Sequence, residues 1–387
     1  MSQSNTTDLN YSLQTRLVLA FTTAGHDFDI DSYVAVDGAL GSDPLQLYTT
    51  VNSGEFTRWP YLSGFLPFIA AANVLESLAG SFRDWVQVPQ IFADVALAWV
   101  VQSYLGRRGA TERSRLTAAG LVALGPSFIA ISGYHGQLDS LAILPAALAV
   151  YAWDALPPGR NRALAAGALI GIAIAFKTAP GLVLLALLPT AFDTRERITL
   201  TAAAALVPLI AIAPWLAADA GSVVDAVSSH HAVPGAGGLS VLVQPELSRF
   251  WLGTGAPPVS ELTQWFVDHQ TLIVALAIVP FAVLVYRRKT SPAQAATILW
   301  LAFYVFATAF AFQYAVWGLP FALMAGYVKQ VAAVQTALLI PAFLIYNKPL
   351  DSGAEYLYVP LMVGVWIALI YALFRTTRTL TAPRIAA

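Results

Sequence analysis

The chain contains no cysteine, and only 11% of its 387 residues are charged. The absence of cysteine excludes disulfides, thiolate nucleophiles and cysteine-ligated metal sites. Soluble domains carry about 25% charged residues, so the scarcity of charge argues against a water-soluble protein. The sequence also lacks a phosphate-binding loop, a dinucleotide-binding glycine pattern and a zinc signature. Nucleotide-binding and zinc-dependent classes are therefore not indicated, and no nucleic-acid partner is expected.

Hydrophobic residues make up 57% of the chain, and the mean hydropathy is +0.65. A helix needs about 20 apolar residues to cross a bilayer, and apolar runs of that order recur from residue 86 onward. The composition therefore predicts an all-α polytopic membrane protein with about 12 transmembrane helices, within limits of about 10 and 13. We expect a cavity at the outer face, covered by the first long loop.

A single integral membrane domain, residues 1–387, is expected, and no internal repeat is apparent. Two apolar stretches are divided by polar turns, near Lys177 and near Gln313, which suggests helices that stop at a cavity. In chain order the predicted segments are a short first span at 11–25, a first outer loop at 26–84 with an interfacial helix at 60–79, spans 2–7 at 86–217, a large outer loop at 218–268, spans 8–12 at 269–374 and a cytoplasmic tail at 375–387.

Charge sets the predicted orientation, because basic residues favour the cytoplasmic ends of membrane helices. The loop at 107–115 is rich in arginine, and shorter basic clusters mark later loops. With these loops inside, most of the 21 Lys and Arg residues lie on the cytoplasmic side and most of the 22 Asp and Glu residues on the outer side. The first acidic loop and Arg107 then lie on opposite sides of the membrane, and the predicted span that begins at residue 86 provides the single crossing between them. Segment 60–79, which contains Pro67 and Glu76, should therefore not cross the membrane.

The first of four polar stretches on the outer side is GHDFDIDSY at 25–33. If this segment is extended, Asp27, Asp29 and Asp31 lie on one side of it, and their mutual repulsion should raise at least one pKa. Carboxylates in such a cluster can take a proton from an acceptor or hold a cation. The alternative is a solvated acidic loop.

The other three stretches are GYHGQLDS at 133–140, FKTAP at 176–180 and FQYAVW at 312–317. A lysine at a helix break suits an anion such as phosphate, but it also fits a side chain that reaches for the membrane interface. The remaining two fit a helical turn and an interfacial aromatic belt as well as a site. Asp94 lies within a predicted span, where we expect it to be packed or paired.

In these stretches the chain resembles the GT-C superfamily of membrane glycosyltransferases, which use a polyprenyl-phosphate sugar as donor. Asp29-Ile30-Asp31 and the later Arg58 look like the first outer loop of the GPI mannosyltransferase I (PIG-M-like) branch. HGQLDS, KTAP and QYAVWGLP look like motifs of bacterial and archaeal members. The glycine and tyrosine that usually follow the acidic motif are displaced in this chain.

The resemblance implies an enzyme that transfers a hexose, with mannose favoured, from a polyprenyl-phosphate-sugar donor to a lipid, glycan or protein acceptor by inverting displacement. No cofactor is expected; a divalent metal is compatible with the residue types but not expected. The implied roles are Asp29 as base with Asp31 in support, Lys177, Arg58 and His135 at the donor phosphate, and Gln137, Asp139, Gln313 and Tyr314 in substrate positioning.

The expected location is the plasma membrane of a prokaryote, with the active site at the outer face. Two other classes stay open: a lipid or solute transporter, and a non-catalytic scaffold of a glycan-assembly complex. A transporter should place its binding groups near the bilayer midplane, often within repeats. The polar stretches here collect at one face, which favours the glycosyltransferase.

Overall fold

The computed structural model describes residues 3–23, 26–53, 58–228, 233–255, 257–348 and 353–380. Within these ranges the regular structure is entirely helical. The predicted first span, the two outer loops and the cytoplasmic tail each include residues outside the described ranges. Two compact units are present, the first formed by residues 1–184 with 191–230 and the second by 185–190 with 231–387.

The first unit contains α1 to α9, the start of α10, and α11. A π-helix at Ile129–His135 follows α7 without a break. The helical path of α11 is interrupted at Asp219, whose φ and ψ are −155° and 86°. The bounds are α1 Gln3–Thr22, α2 Asp27–Ser42, α3 Leu47–Val51, α4 Leu66–Glu76, α5 Phe82–Arg107, α6 Glu112–Ala123, α7 Pro126–Phe128, α8 Asp139–Ala155, α9 Arg160–Phe176, α10 Leu182–Leu187 and α11 Thr194–Ser228.

The second unit contains three short helices, followed by a series of longer helices that run back and forth. A non-helical stretch and a 3-10 turn at Phe312–Tyr314 separate the helix Pro292–Phe306 from the helix Ala315–Met324, near the predicted break. The bounds are α12 Ser240–Val243, α13 Ser248–Leu252, α14 Glu261–Asp268, α15 Gln270–Arg288, α16 Pro292–Phe306, α17 Ala315–Met324, α18 Val328–Asn347 and α19 Glu355–Thr379.

Six helices in the described ranges are long and apolar enough to cross a membrane. They are Phe82–Arg107, Glu112–His135, Thr194–Ser228, Gln270–Arg288, Val328–Asn347 and Glu355–Thr379. The all-helical membrane class is therefore supported, whereas the number of about 12 spans stays a prediction. The difference arises because several apolar helices are short: α8 and α9 have 17 residues each, and α16 has 15.

The first acidic segment forms a helix, and the extended conformation considered for it is wrong. It begins α2, with His26 as the N-cap residue. Successive residues of a helix are about 100° apart, so Asp29 and Asp31 point in nearly opposite directions. Asp29 is half-buried and Asp31 is exposed. The side chain of Asp27 lies outside what the structure describes.

Segment 60–79 contains α4, which is 11 residues long. At 1.5 Å per residue this helix spans about 17 Å, well short of a hydrocarbon core of about 30 Å. Its buried residues, including Leu66 and Ile69, pack in a hydrophobic cluster with α2 and the start of α5. The length and packing agree with a helix that does not cross, although its position relative to the membrane stays a prediction.

Asp94 is buried at the centre of a polar cluster within the first unit. The Arg16 Nε lies 3.0 Å from an Asp94 carboxylate oxygen, and the Ser140 hydroxyl donates to the other oxygen at 2.5 Å. Ser132 also donates to Asp94, and Arg16 Nη2 donates to the Val122 carbonyl at 3.0 Å. Pairing of the mid-span acid is thus confirmed. It joins α1 to α5, the π-helix and α8.

A left-handed glycine brings the π-helix to its end. Gly136 has φ of 79°, and a Cβ there would lie 2.8 Å from the Gln87 side-chain oxygen. Both the backbone angle and the close approach favour glycine. Its carbonyl accepts hydrogen bonds from Gln90 at 3.0 Å and from the Tyr33 hydroxyl at 3.4 Å. The turn therefore presents His135 and Gln137 in a fixed direction.

The break after α9 lies where the sequence predicts it. The helix ends at Phe176, and Lys177 follows in an extended conformation before a short 3-10 turn that contains Pro180. The loop before α4 packs directly on this end of α9, because a Cβ on Gly64 would lie 2.6 Å from the carbonyl carbon of Ala175. Glycine at position 64 thus allows residues 58–65 to approach Lys177.

Candidate active site

Three side chains surround the carboxylate of Asp29. Gln137 donates to one oxygen at 2.5 Å, and His135 Nε2 bonds to the other. The His26 Nδ1 lies 3.2 Å from that second oxygen. The His26 and His135 rings stack with centroids 4.4 Å apart, and the His26 amide donates to the His135 carbonyl at 3.3 Å. The first acidic helix and the 133–140 turn therefore meet at Asp29.

The environment lowers the pKa of Asp29, so Asp29 is not an acid whose pKa is raised by repulsion within the acidic cluster. Burial by itself would raise this pKa, since it disfavours the charged carboxylate. Attraction to His135 and hydrogen bonds from His135 and His26 outweigh burial, so the pKa lies well below its ordinary value. Asp31 does not share the site, because the helical turn directs it to solvent. Asp29 is thus an ionised acceptor at neutral pH.

The orientation of Gln137 follows from its own backbone neighbour. Its side-chain oxygen accepts the Leu138 amide at 3.2 Å, so its NH₂ group faces the other way. That group donates to Asp29 and lies 3.5 Å from the Tyr61 hydroxyl. Burial, together with the carboxylates of Asp29 and Asp139, raises the pKa of Tyr61 well above its ordinary value. The Tyr61 hydroxyl therefore stays neutral, and it accepts the hydrogen bond from the Gln137 amide group.

Lys177 lies on the other side of Tyr61. Its Nζ is 5.2 Å from the centre of the Tyr61 ring and 2.7 Å from a carboxylate oxygen of Asp139. Asp139 is the first residue of α8 and is fully buried. Both charges of the pair are out of water, where a lone charge is expensive. Lys177 and Asp139 thus form a buried ion pair at the predicted helix break.

Arg58 lies beside the start of α2. Its guanidinium carbon is 5.5 Å from the centre of the Phe28 ring, and Phe28 precedes Asp29 directly. Arg58 is half-buried, whereas Lys177 is 7% exposed. The first unit therefore contains six of the sequence-predicted residues in one neighbourhood: Asp29, Arg58, His135, Gln137, Asp139 and Lys177.

Gln313 and Tyr314 belong to the second unit. They lie in the 3-10 turn before α17, which Tyr304 organises: its hydroxyl donates to the Tyr314 carbonyl at 2.7 Å and accepts the Gly318 amide at 2.8 Å. The Tyr314 ring stacks on Trp317 with centroids 4.0 Å apart. Their role in substrate positioning stays a prediction.

Three residues with contacts in the structure, His26, Tyr61 and Arg16, were not predicted from the sequence. His26 precedes Asp29 by three residues, a spacing that places two side chains on one face of a helix. Had the segment been interpreted as a helix, this spacing would have paired them. Tyr61 gave no comparable signal, because its contacts with Lys177 and Gln137 join residues far apart in the chain.

His26, Asp29 and His135 offer metal-ligand atoms within 4.8 Å of one another. The planes of the two imidazoles differ by 21°. The lone pair of an imidazole nitrogen lies in the plane of its ring, so two stacked rings do not direct their lone pairs at one point. Metal binding would require a ring to rotate. As it stands, the arrangement fits hydrogen bonds to Asp29 better.

The sequence model of glycosyltransferase family 87 matches residues 87–312. This range covers more than half of the chain. The chain belongs to glycosyltransferase family 87. The resemblance to GT-C membrane glycosyltransferases is thereby confirmed, since family 87 is of this type. No curated protein matches this family 87 chain.

The matched range divides the site of this family 87 glycosyltransferase. His135, Gln137, Asp139 and Lys177 lie inside it. Asp29 lies before its start, and the structure alone links this residue to the matched ones through His135 and Gln137. A family 87 member acts on a sugar donor and an acceptor, and the cluster offers both an ionised carboxylate and a cation.

Proposed function

We propose that this family 87 glycosyltransferase transfers a hexose, with mannose favoured, from a polyprenyl-phosphate-sugar donor to a lipid, glycan or protein acceptor. The observation that carries the proposal is the pair of opposite charges in one buried cluster. Asp29 is an ionised acceptor on one side of Tyr61, and Lys177 is a cation on the other. Glycosyl transfer from a lipid phosphate needs a proton acceptor and a group that stabilises the phosphate.

Asp29 is the proposed base. The acceptor hydroxyl oxygen forms a bond to the anomeric carbon of the sugar, the bond from that carbon to the phosphate oxygen breaks, and the hydroxyl proton passes to Asp29. Attack opposite to the leaving phosphate inverts the anomeric centre. Each carboxylate oxygen can accept more than one hydrogen bond, so Gln137 and His135 leave capacity for an acceptor hydroxyl. Asp31 is proposed to support the base Asp29 only at a distance, through its carboxylate.

Lys177 is the proposed partner of the leaving phosphate. Negative charge develops on this group as the glycosidic bond breaks, and a fixed cation in a dry site stabilises such charge strongly. Asp139 contacts Lys177 and holds its Nζ in position before the donor arrives. Arg58, near the start of α2, is the second proposed phosphate ligand, because a guanidinium can hold phosphate with two parallel hydrogen bonds.

Gln137 and His135 are proposed to hold the base in place. Both contact Asp29 directly, which favours this role over the sequence-based assignment of His135 to phosphate and of Gln137 to the sugar. Asp139 positions Lys177. Gln313 and Tyr314 remain proposed substrate contacts. The proposed reaction uses no metal, because a lysine and an arginine provide the positive charge.

The proposed site faces the outside of a prokaryotic plasma membrane. The support is the charge partition of the sequence, in which the arginine-rich loop at 107–115 lies inside and the acidic segment outside. A lipid-phosphate donor reaches such a site laterally, from the bilayer. This orientation places sugar transfer on the cell-envelope side.

The experiment is a transfer assay with the purified full chain in liposomes. Polyprenyl-phosphate-mannose and polyprenyl-phosphate-glucose are supplied separately with an extract of envelope lipids and glycans as acceptor, and release of polyprenyl phosphate is measured. Faster consumption of the mannose donor, lost in Asp29→Asn, is expected. Consumption of neither donor would contradict the proposal.

Transport and scaffolding predict different results in the same liposomes. A transporter would move intact donor across the bilayer without releasing polyprenyl phosphate. A scaffold would do neither, and Asp29→Asn would have no effect on either measurement. Lipid phosphate release that depends on Asp29 distinguishes the enzyme from both.

A further inference from the structure

The second unit contains a cavity of about 560 Å³ between α16, α17, α18 and α19. Most of its lining is apolar, with Trp300, Leu338 and Met362 among the contributors. The polar contributors concentrate at one end, where α18 starts and α19 ends. They include Tyr327, Gln330, Arg375, Thr376 and Thr379. Pockets that bind small molecules measure roughly 300 to 1,000 Å³, so this cavity is large enough for part of a lipid.

The polar end of the cavity coincides with a strongly basic end of the unit. The start of α18 and the end of α19 line this end of the cavity. The end of α15 leads directly into α16, whose Thr297 also lines the cavity. These segments carry Arg287, Arg288, Lys289, Lys329, Arg375 and Arg378. No Asp or Glu occurs between Asp268 and Asp351, or after Glu355. The charged side chains that these helices contribute at this end are therefore all basic.

We propose that this cavity binds an acidic glycerophospholipid, with an acyl chain between α18 and α19 and the phosphate at Arg375. The apolar walls suit a hydrocarbon chain, and the basic end suits an anionic head group. Basic pockets between membrane helices on the cytoplasmic side are recognised sites for such head groups. Arg375 is the one member of the basic end that lines the cavity, which makes it the specific phosphate ligand.

The charge argument also separates this lipid from the proposed donor. The donor phosphate belongs with Lys177 and Arg58 in the first unit, next to the acidic helix α2. The polar end of the cavity lies at the end of the unit that the charge partition of the sequence predicts to be cytoplasmic. The phospholipid is therefore a bound companion of the second unit and not a substrate, and its binding is measured without any sugar donor.

The test is native mass spectrometry of the delipidated full chain with added lipid. The probes are phosphatidylglycerol and phosphatidylcholine with identical palmitoyl and oleoyl chains. We expect one phosphatidylglycerol to bind in preference to phosphatidylcholine. Arg375→Gln should weaken phosphatidylglycerol binding by about tenfold or more, the effect of losing one charge-assisted contact. Arg288→Gln, which removes an exposed cation at the same end outside the cavity, should leave it nearly unchanged.

A second pair of variants tests the cavity itself. Ala333 lines it and Ala332 does not, although they are neighbours on α18. Ala333→Phe should reduce binding of both lipids by filling the space of the acyl chain, whereas Ala332→Phe should not. Equal loss in Arg288→Gln and Arg375→Gln would overturn the proposal, because basic charge in general would then explain binding. Displacement of phosphatidylglycerol by an equal amount of polyprenyl phosphate would also overturn it.

Discussion

Lys177 Nζ lies 2.7 Å from the Asp139 carboxylate, and both side chains are buried. The cation that the sequence assigns to the donor phosphate is therefore already paired with an acid. A buried pair gains little net stability, but removing one partner leaves a costly lone charge. The pair thus fixes the position of the Lys177 ammonium group at a helix break. A donor phosphate that approaches Lys177 must share it with Asp139.

Asp29→Asn should reduce turnover by about 10²- to 10⁴-fold, because the amide keeps the size of the side chain but cannot accept the proton. Donor affinity should change little. The measurement is the catalytic rate at saturating donor, with donor affinity determined separately. Asp43→Asn, an exposed acid at the other end of α2, is the matched control. Near-normal turnover of Asp29→Asn would remove Asp29 as the base.

Lys177→Ala should weaken donor binding by roughly ten- to more than hundred-fold, which corresponds to loss of a charge-assisted contact of about 1.5–3 kcal/mol. Lys177→Arg should rescue binding in part, because a planar fork replaces a compact charge. Equilibrium binding of a non-transferable donor analogue measures the effect. Lys348→Gln is the control, since Lys348 is exposed. Unchanged affinity of a folded Lys177→Ala protein would return Lys177 to a structural role.

His135→Gln should move the acid limb of kcat/KM to higher pH. In the native protein the pKa of Asp29 lies well below its ordinary value of about 3.9, so Asp29 stays ionised over the measurable range. Without His135, burial dominates and raises that pKa. The profile is measured from about pH 4, which is close to the ordinary carboxyl pKa, to about pH 8. An acid limb at the same pH in both proteins would count against this coupling.

The same pKa shift has a consequence for stability. Because the folded-state pKa of Asp29 is below its unfolded value, its pairing stabilises the fold above the unfolded pKa of about 3.9. That contribution is lost as the pH falls through the lower, folded-state pKa. Native protein and His135→Gln should therefore differ most in thermal unfolding midpoint above about pH 4 and converge in stronger acid.

Arg16→Gln should destabilise the fold by about 3–5 kcal/mol, because it leaves Asp94 buried with its charge uncompensated. Arg108→Gln breaks a pair of similar length, 2.7 Å to Asp154, in which Arg108 is about half exposed. Exposed pairs contribute at most about 1 kcal/mol. Thermal unfolding midpoints of the two variants should thus differ clearly. Equal midpoints would show that burial of the Arg16–Asp94 pair does not matter.

Ser42→Cys should react with a membrane-impermeant thiol reagent added outside intact cells, and Arg113→Cys should not. Both positions are exposed in the structure, and the chain has no native cysteine to interfere. The expectation rests on the inward placement of the arginine-rich loop. Labelling of position 113 from outside would reverse the proposed orientation. Permeabilised cells, in which both positions should react, provide the control.

The sequence by itself determined the class of the protein and several local features. Hydropathy and scarce charge are sums over neighbouring residues, so they predict membrane helices without knowledge of packing. The helix break at Lys177 is local in the same sense, since Pro180 follows three residues later. Pairing of Asp94 could be expected because a lone acid within a span is costly. The partner could not be named.

Only the tertiary structure showed which acid meets the other candidate residues and what surrounds it. The sequence left Asp27, Asp29 and Asp31 nearly equivalent, and the helical conformation of α2 separated the last two. His135 and Gln137 reach Asp29 across 106 and 108 positions of the chain. No local pattern encodes such contacts, because they depend on how the π-helix, its left-handed glycine and α2 pack. The lowered pKa of Asp29 depends on these contacts.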